Sequence, residues 1–303
     1  MYKDKFVIVT LTTIPSRLFN VLETINSIRN QEISPDEIVL SLPLESIREP
    51  KSGDPYDSNT IKKILNETNI TILRCKKDYG PATKLLGVLE REKKKNLSPD
   101  KESLIITLDD DKIYDKETTK NLLEGWDRNK DCVVARKGSI LVKLSENNKL
   151  YLSNKKHYDK INRHHELLLV GNRIGNDTSC SMIFGTGGIL YRASFFKDDI
   201  FSYEKGNKKY PSKEMFFTDD ILFSGYLGKN GITKKIVKFD DNYTTKILNE
   251  KFKNIQNGNK SGVIDFHTRN RHVNPLIDHN KKTLNDSSKC VTFFEGYLVR
   301  NAN

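Results

Sequence analysis

Strand-like and helix-like patterns alternate through residues 1–110, and this alternation constrains the fold more than any other feature of the chain. Short runs of β-branched and apolar residues predict strands, and apolar residues spaced three and four apart predict helices between them. The predicted strands cover residues 6–12, 37–42, 70–74 and 103–108, and the predicted helices cover residues 17–29, 59–65 and 82–95. This order predicts an α/β fold with a mostly parallel central sheet and helices on both faces.

Length and composition favour a single globular unit. The chain has 303 residues, 36% of them hydrophobic, which is enough for one large core. We find no linker-like stretch and therefore predict one domain over residues 1–303. Residues 249–260, rich in lysine and asparagine, are the weakest segment and predict a mobile loop.

Charge and apolar patterning narrow the possible partners. The apolar runs are far shorter than the ~20 residues of a membrane span, so we expect a soluble, cytoplasmic protein without a transmembrane segment. Four cysteines without a CxxC pair predict reduced thiols rather than a zinc site or a disulfide framework. The net charge of +11 predicts attraction to anions such as nucleotides, nucleic acid, acidic glycans or lipid headgroups.

Three consecutive aspartates, Asp109, Asp110 and Asp111, follow the predicted strand at 103–108. Open α/β sheets bind ligands at the carboxyl ends of their strands. A hard divalent cation on a diphosphate, Mn²⁺ or Mg²⁺, would offset the repulsion between these anions. Because side chains alternate along an extended chain, we expect Asp109 and Asp111 to face the metal and Asp110 to face the other way, toward the ribose. The alternative is a solvated turn that caps a helix starting near Asp115.

Four segments together resemble glycosyltransferases of the A-type fold, in the broad family-2-like group. They are residues 9–17 (VTLTTIPSR), 106–111 (ITLDDD), 185–188 (GTGG) and 218–220 (TDD), and the resemblance covers roughly residues 5–240. It implies a Rossmann-like fold whose acidic motif holds a divalent cation on the donor diphosphate.

The same resemblance divides the chain by role. It implies a nucleotide-sugar-binding half over residues 1–112, an acceptor-binding half over 113–245, and a C-terminal basic extension or lid over 246–303. In the loop region that opens the first half, Thr10 and Thr12 are implied to contact the nucleoside.

Two further segments fit a nucleotide-sugar site. Residues 78–84 (DYGPATK) predict a turn into a helix whose N-terminus seats a phosphate or nucleotide. Lys84 is in reach of the diphosphate or base, and the resemblance implies that Asp78 lies near the uracil or ribose. Arg17 is a candidate nucleotide contact because its fork of donors suits phosphate. The alternative for these residues is an ordinary capped helix with solvated side chains.

Glycines dominate residues 185–188, which allows close approach of a ligand to the backbone. The resemblance implies that Gly187 and Gly188 line the sugar pocket, and a structural bulge is the alternative.

Two carboxylates, Asp219 and Asp220, precede a helix-like run at residues 221–227. Capping of that helix by Thr218 or Asp219 is one interpretation. By analogy with inverting A-type enzymes, Asp220 is the general base that deprotonates the acceptor hydroxyl, and Asp219 orients the acceptor.

Histidines and basic residues mark the C-terminal part of the chain. Many A-type transferases complete the metal shell with a late histidine, so the resemblance implies His267 as a ligand and His272 as the second candidate. Residues 251–282 hold seven Lys or Arg against two Asp, which suits a lid closing over a charged donor. A surface histidine and a solvated basic face are the alternatives.

These features predict a metal-dependent glycosyltransferase that moves a sugar from a nucleoside-diphosphate sugar, a UDP-sugar by the resemblance, to a hydroxyl of a glycan, protein or other acceptor, with inversion. A nucleic-acid-binding protein would explain the charge but needs no aspartates at a sheet edge. A nucleotidyltransferase usually has a glycine-rich basic loop after the first strand, whereas residues 12–16 (TTIPS) contain no glycine. A sugar-binding module without turnover would keep the site and lack donor hydrolysis.

Overall fold

The computed structural model describes residues 1–143, 164–203, 216–239 and 295–301. In chain order the strands are β1 (Val7–Thr12), β2 (Glu37–Pro43), β3 (Thr71–Cys75), β4 (Leu104–Thr107), β5 (Val133–Ala135), β6 (Lys137–Lys143), β7 (His164–Val170), β8 (Thr178–Ser179), β9 (Met182–Ile183), β10 (Ile189–Arg192), β11 (Lys234–Ile236) and β12 (Val299–Asn301). The α-helices are α1 (Val21–Arg29), α2 (Ser58–Glu67), α3 (Thr83–Lys93), α4 (Thr118–Arg128), α5 (Asp219–Lys229) and α6 (Glu295–Leu298), the last being a single short turn.

Eight of these strands form a central sheet in the spatial order β3-β2-β1-β4-β10-β5-β11-β8. The first four strands are parallel to one another, and β5 and β11 run in the same direction. The strands β10 and β8 run the opposite way. The predicted mostly parallel sheet of an α/β fold is therefore confirmed.

Helices cover both faces of this sheet because successive strand residues point to opposite sides. On one face Ile8 and Ile105 pack with the apolar residues of α3 and α5. On the other face Val9 and Ile106 pack with α1 and α4. Each strand is thus buried on both sides, which explains the nearly continuous apolar runs of β1 and β4.

A second, smaller sheet was not predicted. It has the order β12-β6-β7, and β9 pairs with the other end of β6. Residues 133–152 show only short strand-like patterns separated by polar turns, and residues 144–152 lie outside the described ranges.

Two helix starts differ from the predictions. The helix expected over residues 17–29 begins as a 3₁₀ helix at Pro15–Asn20 and becomes α-helical only at Val21. The helix after the acidic triplet begins at Thr118, and the Asp115 carboxylate accepts a hydrogen bond from the Thr118 hydroxyl at 3.0 Å.

The remaining predictions concern membrane-spanning helices, the cysteines and the C-terminal part of the chain. Within the described ranges, no helix is both long enough and apolar enough for a bilayer crossing. The described cysteines, Cys75, Cys132 and Cys180, are free thiols. The predicted loop at 249–260 and the predicted lid at 251–282 lie outside the described residues.

Candidate active site

The carboxyl ends of β1 and β4 and the N-termini of α3 and α5 meet at one edge of the central sheet. Between β4 and β5, β10 runs in the opposite direction, so the glycine-rich loop that precedes it reaches the same edge. The pairing of Ile189 with Thr107 places this loop beside the aspartates that follow β4. Segments that are far apart in the sequence therefore converge at the predicted location.

Lys84, near the start of α3, lies between two carboxylates of this edge. Its Nζ is 2.7 Å from Asp109 Oδ1 and 2.9 Å from Asp219 Oδ2, and only 5% of the residue is exposed. Burial opposes the charge on Lys84, but Asp109, Asp219 and Asp220 outweigh it and hold the pKa of the ammonium well above its usual value. Burial also acts against a charged Asp109, and the Lys84 ammonium more than offsets it, so the pKa of Asp109 is lowered. The Lys84 ammonium thus links the residues that follow β4 to the first turn of α5.

Asp220, in the first turn of α5, contacts the glycine loop. Its Oδ1 accepts a hydrogen bond from the Gly185 backbone N–H at 2.9 Å. Burial and then the neighbouring Asp219 carboxylate raise the pKa of Asp220 well above its usual value, against the opposing charge of Lys84. A carboxylate with a raised pKa is a stronger base than an ordinary aspartate.

The remaining two aspartates of the triplet share one arginine. Arg17 donates to Asp110, and its other terminal nitrogen lies 3.4 Å from Asp111 Oδ2. The Thr13 hydroxyl also donates to Asp110, at 2.5 Å. The strict alternation expected along the triplet is not continued, because β4 ends at Thr107 and Asp110 and Asp111 lie in a turn, where both contact Arg17. The assignment of Asp109 and Asp111 to a metal stays a prediction.

Asp78 holds together the loops that follow β2 and β3. Its two carboxylate oxygens accept hydrogen bonds from the backbone N–H groups of Ile47 and Gly80, each at 2.7 Å. Arg48, beside Ile47, was missed in the sequence because a single arginine in an irregular loop has no motif or periodicity. Burial lowers the pKa of Arg48, against the charges of Asp78 and Asp110, and its Nε has no hydrogen-bond partner among the described residues.

Thr10 and Thr12 lie beneath the edge. The Thr10 hydroxyl donates to the Lys84 carbonyl at 2.7 Å, and the Thr12 hydroxyl donates to the Ser41 carbonyl at 2.7 Å. Both threonines are buried. Their hydroxyls therefore brace the backbone of β1 against α3 and β2, and their predicted contact with a nucleoside stays a prediction.

The glycine loop forms a short 3₁₀ helix at Gly185–Gly187 that is pressed against its neighbours. A Cβ at Gly185 would lie 3.2 Å from Lys84 Nζ and 3.3 Å from a carboxylate oxygen of both Asp109 and Asp220. Gly185 is thus the glycine closest to the charged groups, although the sequence singled out Gly187 and Gly188. Gly188 has a φ of +87°, and a Cβ there would meet Leu108 Cδ2 at 2.8 Å, so it has a structural reason to be glycine.

Among the charged groups that contact the triplet or the Asp219–Asp220 pair through ion pairs, negative charge exceeds positive charge. Five carboxylates converge with three cations, the carboxylates being those of Asp109, Asp110, Asp111, Asp219 and Asp220 and the cations those of Arg17, Lys84 and Lys112. In the described part of the chain, no three His, Cys, Asp or Glu side chains are already arranged around one point as metal ligands. The donor chemistry nevertheless suits a hard divalent ion, because the excess charge is carried by carboxylate oxygens. The predicted ligands His267 and His272 lie outside the described residues.

Comparison with known proteins gives a likeness to solved structures alone. No family model matches the sequence, and no curated protein is significantly similar to it. The fold is similar to a structure of S. aureus TarS residues 1–349, with a TM-score of 0.41, 14% identity, 76% of this chain covered and 57% of that chain covered. For the same TarS fragment in complex with UDP-GlcNAc the TM-score is 0.43 at 16% identity, with 78% and 56% covered.

A different enzyme gives a similar score. For 4-diphosphocytidyl-2C-methyl-D-erythritol synthase the TM-score is 0.40 at 10% identity, with 80% of this chain and 91% of that chain covered. This chain therefore spans little more than half of the TarS fragment and most of the synthase.

Proposed function

We propose that this protein is a metal-dependent glycosyltransferase that moves a sugar from a nucleoside-diphosphate sugar, a UDP-sugar, to an acceptor hydroxyl with inversion. The observation that carries the proposal is the convergence of the acidic triplet, Lys84, the glycine loop and the Asp219–Asp220 pair at the carboxyl edge of an α/β sheet. That edge is where ligands of open α/β sheets bind.

In this proposal the nucleoside lies at the β1–β3 side of the edge. Arg17, Arg48 and Asp78 are the charged groups there, and the buried Nε of Arg48 offers a hydrogen-bond donor to a phosphate or base carbonyl. The sugar lies next to the glycine loop, where the absence of a side chain at Gly185 leaves room beside the carboxylates.

Asp109 and Asp111 would hold Mn²⁺ or Mg²⁺. When bound, such an ion supplies positive charge to a departing nucleoside diphosphate. Each of the two carboxylates already contacts a cation, Lys84 or Arg17, so these side chains position them at the edge. The permanent charge of Lys84 also lies at the same place and would favour an anionic leaving group.

Asp220 is proposed to accept the proton of the acceptor hydroxyl. Its raised pKa makes the carboxylate a suitable base, and the Gly185 N–H fixes its orientation. Asp219, held by Lys84, is proposed to orient the acceptor. Removal of the proton from the acceptor oxygen lets that oxygen attack the anomeric carbon from the side opposite the diphosphate, which inverts its configuration.

Two matched variants test these roles. A panel of nucleotide sugars is assayed for donor hydrolysis and for transfer, with Mn²⁺ and with EDTA, in the wild type, Asp111→Asn and Asp220→Asn. We expect Asp111→Asn to abolish Mn²⁺-dependent hydrolysis, and Asp220→Asn to bind donor normally while transfer falls ~10²- to 10⁴-fold, the usual contribution of a general base.

Two results would contradict the proposed roles of Asp111 and Asp220, and a third would contradict catalysis. Full activity in Asp111→Asn would remove that aspartate from the metal site, and loss of donor binding in Asp220→Asn would show that Asp220 is not the base. A wild type that binds donors without hydrolysing or transferring them would be a sugar-binding module.

A further inference from the structure

Positive charges gather on the side of the glycine loop that faces away from the acidic residues. We call this group the basic cluster, and it consists of Arg136, Lys137 and Arg173. Lys112 also acts on Lys137, but its Nζ lies 3.6 Å from Asp111 Oδ1 and it belongs with the acidic residues. The function proposed above gives the basic cluster no role.

Strand pairing brings the members of the basic cluster to the same edge as the acidic triplet. Because Ala135 at the end of β5 pairs with Ile189 at the start of β10, Arg136 and Lys137 emerge beside the glycine loop. Lys137 pairs with Val170 at the end of β7, and Arg173 ends the 3₁₀ helix that follows. The Gly171 N–H bonds to the Arg136 carbonyl at 3.0 Å, which fixes these two segments together.

Lys137 is the centre of this charge. Its side chain is half-buried, and its ammonium has no partner among the residues that the structure describes. Burial and then the charges of Arg136 and Lys112 lower its pKa, while Asp115 acts in the opposite sense. Asp115, however, is engaged with the Arg136 guanidinium at 2.8 Å. Asp115 therefore offsets the charge of Arg136 and leaves the positive charge of Lys137 and Arg173 without a neutralising carboxylate in this cluster.

The stems of two of these side chains pack directly against the glycine loop. A Cβ at Gly187 would lie 3.0 Å from Lys137 Cγ and 3.2 Å from Arg136 Cβ. The same loop contacts Lys84, Asp109 and Asp220 through Gly185. One short loop thus separates the acidic residues from the basic cluster.

The position of the cluster indicates which substrate it meets. The nucleoside is proposed to lie toward β1 and β3, and the diphosphate over the residues that follow β4. One strand, β10, lies between β4 and β5, and the two inter-strand spacings place Arg136 and Lys137 ~10 Å beyond the end of β4, on the side opposite the proposed nucleoside. A group bound there is next to the proposed base but away from the nucleotide.

We propose that the basic cluster binds a phosphate group carried by the acceptor, close to the hydroxyl that receives the sugar. This inference rests on the proposed function, since it assigns the acceptor by its place relative to the donor. Arginine and lysine at one site suit a phosphate, which accepts several charge-assisted hydrogen bonds at once.

Calorimetric titration with glucose 6-phosphate and with glucose tests the cluster directly. The protein is titrated alone and again with saturating UDP and Mn²⁺, so that the donor site is filled. The variants are Lys137→Gln and Arg173→Gln, and the control is Lys130→Gln, an exposed lysine paired with Asp127 on α4. We expect glucose 6-phosphate to bind in both conditions, glucose not to bind, and each cluster variant to lose about tenfold or more in affinity for the phosphate. We expect the control to behave like the wild type.

Three results would overturn the inference: equal affinity for glucose 6-phosphate and glucose, unchanged affinity in both cluster variants, or loss of glucose 6-phosphate binding when UDP is added. Loss of glucose 6-phosphate binding when UDP is added would show that the cluster binds the phosphates of the donor rather than the acceptor. Binding of glucose 6-phosphate through the cluster in a protein that neither binds UDP nor turns over a nucleotide sugar would support the anion site and contradict the proposed function, so the two failures are distinguishable. Thermal unfolding of each variant confirms that it is folded.

Discussion

Lys84 shows how one side chain can determine the electrostatics of a sheet edge. Its ammonium contacts Asp109 and Asp219 directly, and Asp220 acts on it as well. Taking charges out of water is costly, and they persist in an interior only when they are paired. Lys84 therefore makes it possible for several aspartates to lie together in a mostly buried place.

Removal of that ammonium should be strongly destabilising. We expect Lys84→Met to lower the free energy of unfolding at neutral pH by ~3–5 kcal/mol, because it leaves uncompensated buried carboxylates. The control is Lys94→Met at the C-cap of the same helix, where the exposed pair of Lys94 with Glu90 is worth ~0–1 kcal/mol. Urea denaturation of both variants measures the difference, and equal losses would contradict the account of Lys84.

The raised pKa of Asp220 gives a stability effect with a definite sign. Burial and the Asp219 carboxylate hold the folded-state pKa above that of the unfolded chain. Between these two values the folded state binds more protons, so the free energy of unfolding falls as the pH rises. The asparagine in Asp220→Asn does not ionise, so this pH-dependent loss of stability disappears. Above the folded-state pKa, we expect the free energy of unfolding of the variant to rise relative to the wild type by ~1.4 kcal/mol for each unit by which folding raises the pKa of Asp220.

Denaturation of Asp220→Asn and the wild type in EDTA, from about pH 4 to about pH 8, measures this difference. A difference in stability that stays constant over that range would show that the pKa of Asp220 is not raised. The same variant is expected to be less active, so stability and activity should change in opposite directions.

At the scale of elements, sequence patterns gave the local structure and missed the distant pairings. The strands β1 to β4 and the helices between them were predicted nearly at their observed bounds, because each has a local periodicity and a turn at its end. The insertion of β10 between β4 and β5 was not predicted, since it depends on contacts between residues more than fifty positions apart. The second sheet was also missed, because no short sequence pattern records the pairing of β6 with β7 or the pairing of β6 with the distant strand β12.

The residues of the candidate site also differ in whether a local sequence pattern could identify them. Asp109, Asp111 and Asp220 were found from motifs, and Lys84 from its place in a turn-helix segment. Arg48 and the charge around Lys137 could not be found, because their surroundings are assembled by loops and strand pairings that no short pattern records. The actual partners of Asp110 and Asp111 depended on a turn that ends the strand geometry.

The pairing of β6 with β9 depends on a glycine in β6. A Cβ at Gly138 would lie 2.2 Å from the Met182 carbonyl oxygen and 2.7 Å from Ile236 Cδ1. Because the first neighbour is backbone, β6 and β9 would have to separate. We expect Gly138→Ala to lower the free energy of unfolding by ~1–3 kcal/mol or more, as overpacking does.

Gly175→Ala is the control for this prediction, since nothing lies within 4 Å of a Cβ at that position. Chemical denaturation should leave the control within ~0.5 kcal/mol of the wild type, as for most surface substitutions. A Gly138→Ala variant as stable as its control would contradict the close packing of β6 against β9.

At the scale of the molecule, the topology orders the charges along one sheet edge. Arginines and Asp78 lie at the β1–β3 side, the acidic residues lie around β4 and α5, and the basic cluster lies around β5 to β7. The net charge of +11 is therefore not evenly spread, because this edge has an acidic centre between two regions that contain cations. That order matches a donor whose nucleoside, diphosphate and sugar lie in sequence toward the acceptor.

In the proposed function, the acidic edge binds a nucleoside diphosphate through a divalent cation. Calorimetric titration of UDP into the wild-type protein, first with Mn²⁺ and then with EDTA, measures this binding. We expect UDP to bind with Mn²⁺ and its affinity to fall at least ~10-fold in EDTA, equivalent to ~1.4 kcal/mol. Equal affinity in the two buffers, or no binding of UDP in either, would contradict it.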